Sequence, residues 1–238
     1  MTPLVLAEPE RPFWGFAELL FAAAIFIVAL LTVVGLAGRL LHAPPESGLW
    51  SVLEEGVSYA VFFLVLKIMF ARHGKGLLES LGWSKTGPFS PRWLVATGLG
   101  LSVLVATVQF LTVDNSADTP FEKMLEDPAS RIVVGLFSVT VAPMAEELFF
   151  RGFLQPVFVE AMGVFPGILV TSLMFGGLHL MQYGYIWQIG ALLSVVGFLL
   201  GTIRHLTGST RASTIVHIAF NTLPFLVLLF AGNPLAKK

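Results

Sequence analysis

Cysteine is absent from the 238 residues. That excludes disulfides, thiolate nucleophiles and Cys-ligated zinc or iron–sulfur centres. Charge is scarce: Asp, Glu, Lys and Arg make up 12% of the chain, against roughly 25% in a soluble domain. The net charge is −1, so no basic face is available for a nucleic-acid partner. Two catalytic signatures are also missing, the Gly-x-Ser-x-Gly elbow of serine hydrolases and the His-Glu-x-x-His helix of zinc peptidases. No internal repeat or low-complexity tract is visible, which weakens an inverted-repeat transporter reading. No polar linker is long enough to separate one core from another, so residues 1–238 read as one membrane domain.

What the chain has is apolar surface. Hydrophobic residues make up 55%, with 21 Phe among them, and the mean hydropathy is +0.83. The excess lies in long blocks, and a helix crossing the hydrocarbon needs about 20 mostly apolar residues. The blocks cover about 13–37, 49–70, 93–113, 132–150, 164–180, 186–203 and 215–230. The expected fold is all-α, a polytopic bundle of about seven to eight transmembrane helices around a polar cavity, in a bacterial-type plasma membrane. The first block is too long for a signal-peptide core and is expected to stay as an anchor. Trp14, Trp50, Trp83, Trp93 and Trp187 lie near block edges, as an interfacial belt requires. Arg72, Lys75, Lys85 and Arg92 place the loop between the second and third blocks in the cytoplasm. The loop holding Asp114, Asp118, Glu122, Glu126 and Asp127 then lies outside. Arg204 and Arg211 return to the cytoplasmic side, and Lys237 and Lys238 break the rule at the tail.

Ionisable groups at membrane depth cost at least about 2.5–3.5 kcal/mol each at the bilayer centre. They persist where they face a cavity or one another. In the fourth block Glu147 and Arg151 are i,i+4 and face each other on a helix, a pairing that holds Glu147 ionised. Glu146 lies about 100° around the helix and points elsewhere. One carboxylate is thus paired and the other free to take a proton, as a general base must be. Phe175 and His179 share a helix face, and Gly176-Gly177 between them leave room for a close approach. His217 and Asn221 are again i,i+4. Their donors suit a developing oxyanion, a metal through His, or a bond between helices.

Glu-Glu-x-x-x-Arg, Phe-x-x-x-His and His-x-x-x-Asn, in that order on three apolar spans, resemble the motifs of the CAAX-protease and bacteriocin-processing family of intramembrane peptidases. That family includes the Ras-converting CAAX-prenyl endopeptidase of eukaryotes. The resemblance covers about 132–224 and defines a catalytic core at 131–224; the first half is similar only in being apolar spans. It implies an endopeptidase in which Glu146 and His179 activate a water. His217 and Asn221 would then stabilise the tetrahedral intermediate, Glu147 and Arg151 would be the supporting pair, and Phe175 would be the shaping aromatic. The implied partner is a membrane-associated protein or peptide within the lipid bilayer, a prenylated CAAX-like tail being one option. Family members have been called both metalloproteases and glutamate-type proteases. Glu146, His179 and His217 could supply three ligands to a divalent metal such as zinc. A metal-independent water mechanism is preferred, because the usual zinc helix is missing and Glu146 must serve as base.

Peptide hydrolysis consumes water, so a wet cavity is expected. Its mouth is placed on the cytoplasmic side, with a lateral gap edged by Trp187, Gly176, Gly177 and Gly190. Glu54-Glu55 is the competing acidic pair. It lacks an Arg four residues on and sits near Trp50, which reads as interfacial. Glu18 and Lys67 can snorkel. His42, His73 and His205 fall in loops and carry no assigned role. Phe62-Phe63 and Phe149-Phe150 read as packing or lipid contacts. The rival functions are an ion- or proton-coupled transporter using the same buried groups, and a non-catalytic bacteriocin-immunity or scaffold protein. The oligomeric state stays open.

Overall fold

The computed structural model describes residues 11–32, 35, 47–84, 86–113 and 119–230. His42, Lys85, Asp114, Asp118, Lys237 and Lys238 lie outside the described residues. Among those described, helix is the only regular structure. The elements are α1 (Phe16–Thr32), α2 (Gly48–Ala71), α3 (Leu77–Ser80), α4 (Pro91–Thr112), α5 (Pro120–Met124) and α6 (Pro128–Ser138). They continue with α7 (Val141–Glu147), a π-helical segment (Leu148–Leu154), α8 (Gln155–Met162), α9 (Val164–His179), α10 (Trp187–Thr207) and α11 (Thr210–Phe230).

Four stretches are long and apolar enough to cross a membrane: Pro91–Thr112, Pro128–Met162, Trp187–Thr207 and Thr210–Phe230. Phe16–Thr32 and Val164–His179 are shorter apolar helices. Helix α2 has 24 residues but carries Glu54, Glu55 and Lys67. The protein is an integral membrane protein of helical-bundle type.

Loop contacts fix the two ends of the bundle. At one end Thr210 N donates to Gly82 O (2.9 Å) and Ser209 Oγ to Ser84 O (3.0 Å). At the other, Phe121 N donates to Gln182 O (3.1 Å), and Gly48 lies against Ser130 and Val134. The first is the Arg-bearing end and the second the acidic one. The long helices alternate between them, so α2 and the 128–162 rod run parallel, both from the acidic end to the Arg-bearing end.

The fourth block was expected to stop at Phe150, before a charge. Instead helix continues from Pro128 to Met162. Arg151 does not end it because its charge is neutralised inside the protein by Glu147. Two further expectations change. Trp14 is a core residue rather than an interfacial one: it is buried, stacks on Phe153 (5.9 Å) and donates its indole N–H to Phe153 O at 3.0 Å. Trp93 and Trp187, by contrast, are exposed at opposite ends of the bundle, where a belt would place them. Phe62, Phe70 and Leu66 on α2 close the same core against Phe149 and Phe153. Trp14→Phe keeps most of the ring packing but loses this hydrogen bond. It is expected to cost about 1 kcal/mol, read as a lower midpoint of thermal unfolding in detergent.

Glycines set the closest crossings. A Cβ on Gly98 of α4 would stand 2.6 Å from Ala219 Cβ and 3.0 Å from Phe220 N on α11, and would strike Val216 O. Gly176 and Gly190 were expected at the edge of an open gap. They instead lock α9 to α10: a Cβ on Gly176 would strike Gly190 O and Ser194. Gly177 faces open space. Trp187 edges a shallow apolar groove of about 240 Å³ shared with Val108, Ala191 and Leu192.

Candidate active site

Three helical rods bring the motif residues to one place. Helix α7 ends on Glu146 and Glu147, the π-helical segment carries Arg151, α9 carries Phe175 and His179, and α11 carries His217 and Asn221. Helix α11 turns Thr210, Ser213, Val216, His217 and Phe220 inward. That inward stripe is why a His between two apolar neighbours points at the rod.

Glu147 and Arg151 are fully enclosed. Arg151 Nη1 donates to Glu147 Oε1 at 2.8 Å, and Nη2 donates to Gly197 O of α10 at 2.9 Å. The guanidinium also lies over the Phe175 ring, 4.7 Å from its centroid, so charge and π-face support each other. The wide turn begins right after Glu147. Single π-helical turns inside α-helices are frequent at functional sites, and here one spaces the acid pair from the base that neutralises it. Gly152 in the same segment lets Leu81 O approach where a Cβ would stand 2.8 Å from it.

His217 joins both carboxylates. Its Nδ1 is 3.1 Å from Glu147 Oε1 and its Nε2 is 3.7 Å from Glu146 Oε2. A carboxylate that already accepts from Arg151 can only accept again, so the hydrogen-bond network assigns the proton to Nδ1. Nε2 then faces Glu146 as a lone pair, and becomes a donor only when the ring takes a second proton. Glu146 accepts no hydrogen bond among the described residues and is slightly accessible. The division expected from the sequence, one carboxylate sealed and one free, is present in the geometry.

His179 is held differently. Its Nδ1 lies 2.8 Å from Phe175 O on its own helix, and its ring packs at 4.7 Å from the Phe175 ring. Phe175 also touches the ring of His217 at 5.8 Å, so one phenyl sets the orientation of both imidazoles. Asn221 stands one turn beyond His217 and donates Nδ2–H to Ser138 O at 2.8 Å. Its carbonyl oxygen and second N–H are left for another partner.

Among the described residues, no three His, Asp or Glu side chains gather into a set that could hold a metal ion. Glu146, His179 and His217 do not form such a set.

Helix α9 has only 16 residues, about 24 Å of helix, and stops at His179. The loop that follows, 180–186, lies at the acidic end, where Gln182 O accepts from Phe121 N. Tyr183 in that loop packs on Phe121 at 5.5 Å. Burial pushes its phenol up to about 12, so it remains an O–H donor at ordinary pH.

The competing acidic pair on α2 has a partner that was not weighed in the sequence. Glu55 and Tyr59 of α2 form a hydrogen bond, Tyr59 Oη to Glu55 Oε1 at 2.6 Å. A signal was present, an acid with a Tyr four residues later, seven residues or about 10 Å into the helix. His205 lies within α10 rather than in a loop. Phe62, Phe149 and Phe150 pack inside the bundle, Phe62 on Phe149 at 5.2 Å and Phe150 on Phe175 at 5.1 Å.

Residues 128–223 match the family model of type II CAAX prenyl endopeptidases, Rce1-like. The resemblance read from the three motifs is borne out over this stretch, which spans every motif residue from Glu146 to Asn221. No curated protein and no solved structure matches the chain.

Proposed function

From a chain whose residues 128–223 belong with the Rce1-like CAAX prenyl endopeptidases, we propose an intramembrane endopeptidase that uses a Glu146-activated water on a membrane-associated protein or peptide. The observation that supports this most is the unequal treatment of two adjacent carboxylates. Glu147 is neutralised by Arg151 and accepts from His217, while Glu146 is slightly accessible and accepts no hydrogen bond among the described residues.

In the proposed reaction Glu146, with His179 across the site, takes a proton from water as its oxygen attacks the scissile carbonyl carbon. The carbonyl oxygen becomes an oxyanion. The donors on α11 that would stabilise it are Asn221, through its second N–H, and an N–H at His217 Nε2. The intermediate collapses with cleavage of the C–N bond, and the departing amine takes the proton held by Glu146. Glu147, Arg151 and Phe175 do not touch substrate in this scheme; they fix the orientation of His217 and of the rod. A prenylated CAAX-like tail is one substrate of this class. A non-catalytic immunity or scaffold role would leave the free carboxylate of Glu146 without a use.

Removing a general base typically costs about 10²–10⁴ in rate, so Glu146→Gln should lower cleavage by that factor. The measurement compares carboxy termini in membranes containing wild-type or Glu146→Gln protein. New termini present only with the wild type support the proposal; identical sets contradict it.

A further inference from the structure

We propose that Arg204, at the Arg-bearing end of α10, is the seat for the phosphate of an anionic phospholipid. It lies seven residues, about 10 Å along the helix, from Gly197, whose carbonyl holds Arg151.

Three observations carry this. The first is an unanswered charge. Arg151 of the rod and Gln155 one turn on both reach across to α10, donating to Gly197 O at 2.9 Å and Gly201 O at 3.0 Å. Arg204 comes next on that face of α10, and no side chain of the rod meets it. Among the described residues its guanidinium forms no ion pair and donates no hydrogen bond, and its Nε is enclosed without a partner. The dipole of α10 favours a cation in the last turn but satisfies none of the five N–H donors. A half-buried charge at the margin of the hydrocarbon is expensive unless something neutralises it.

The second is a cradle. The turn after α3 is built against this side chain. Gly82 adopts φ +73°, and a Cβ there would strike Arg204 Nη2 and stand 2.9 Å from Cζ and 3.2 Å from Nε. Gly82 is itself fixed from two sides. Leu81 O before it lies against Gly152 of the rod, and Gly82 O accepts from Thr210 N of α11 at 2.9 Å. The cradle therefore holds the guanidinium without supplying a negative charge.

The third is depth. Arg204 is in the last turn of a membrane-spanning helix that ends at Thr207, and Trp83 beside the cradle is half-buried, as a residue at headgroup level is. Arg72, Lys75, Arg92 and Arg211 are exposed at the same end. Its acids, Glu18, Glu79 and Glu160, form no ion pair with any of them among the described residues. A soluble anion would have to descend to the edge of the hydrocarbon to meet Arg204, whereas a lipid phosphate already stands there. The guanidinium fork matches two phosphate oxygens, and the surrounding cations favour a headgroup of net negative charge over a zwitterionic one. Seated there, the lipid ties the turn after α3 to α10 and to the start of α11.

The test reconstitutes purified protein in nanodiscs of phosphatidylglycerol mixed equally with phosphatidylcholine. Native mass spectrometry counts the lipids retained on release, and thermal unfolding is recorded beside protein in phosphatidylcholine alone. Wild type should retain phosphatidylglycerol in preference and unfold at a higher temperature in the mixture. Arg204→Gln should lower that preference about fivefold, the contribution of one cation to an anionic headgroup, and lose the shift in unfolding. Arg204→Lys keeps the charge without the fork and should keep part of both. Arg92→Gln and Arg211→Gln, at exposed cations of the same end, should change them little. A wild type with no preference overturns the inference without recourse to any variant. So does an Arg204→Gln protein that retains phosphatidylglycerol as the wild type does, or an equal loss in Arg92→Gln, which would make the attraction diffuse. A last arm adds inorganic phosphate to protein in phosphatidylcholine alone. It should leave the unfolding temperature unchanged; a rise equal to that given by phosphatidylglycerol would assign the seat to a soluble anion and overturn the lipid.

Discussion

Arg151→Met is expected to destabilise the protein by about 3–5 kcal/mol, the usual consequence of leaving one partner of a buried ion pair uncompensated. Arg151 is almost wholly buried and Glu147 wholly so, and they meet at 2.8 Å. Met fills much of the volume of the aliphatic stem, so the loss is mainly electrostatic. Glu147 would keep the bond with His217, but the bond to Gly197 O, which ties the rod to α10, would go. Neutralising the orphaned acid should repair the fold. Arg151→Met with Glu147→Gln is expected to regain most of the unfolding midpoint in detergent, since a buried pair replaced as a unit is often tolerated. The double variant should still cleave poorly, because His217 loses the ionised partner that sets its tautomer. An Arg151→Met protein as stable as the wild type would show that the pair is not the internal brace described.

Gly98→Ala is the second large effect, from a single methyl group. Its Cβ would stand 2.6 Å from Ala219 Cβ and collide with Val216 O. Both contacts are backbone or near-backbone, so no side chain can swing aside and α4 must move off α11. Overpacking of this kind costs typically about 1–3 kcal/mol. It should also lower activity, because Val216 and Ala219 flank His217 on the helix that moves. Gly100→Ala, two residues on, is the control: a Cβ there meets nothing within 4 Å. Exposed Gly→Ala in a helix is worth roughly 0.5–1 kcal/mol in favour of folding, so Gly100→Ala should be neutral or slightly more stable. Equal behaviour of the two variants would contradict a close crossing of α4 and α11.

These two sites show why the sequence could be read in some places and not in others. Apolar block length foretold helices that cross a membrane, because the hydrocarbon thickness imposes a length on any chain. The i,i+4 spacing foretold the Glu147–Arg151 pair and left Glu146 free, because helical geometry is local. What depends on contacts between distant segments was not visible. The rod was expected to end before Arg151, since an isolated charge ends an apolar run and only the folded partner cancels it. Gly176 and Gly190 were expected to edge a gap, though a small residue marks a tight crossing equally well. Trp14 was assigned to the interface by its position near a block edge, and its acceptor on Phe153 lies 139 residues away. Glu54-Glu55 was set aside because no Arg followed. Its partner is Tyr59, one turn further along α2. His217 was read as an oxyanion donor. Its bond to Glu147 adds a condition invisible in the motif, namely that Nε2 donates only when the ring carries two protons.

The most direct measurement places purified wild type and Glu146→Gln side by side, recording thermal unfolding in detergent and cleavage of the same membrane peptide by mass spectrometry. Among the described residues Glu146 makes no hydrogen bond that holds the fold, so the Gln variant should unfold at the wild-type temperature while its cleavage falls by about 10²–10⁴. A Glu146→Gln protein that releases the same fragments at the wild-type rate would contradict the assignment of this carboxylate as the group that activates water.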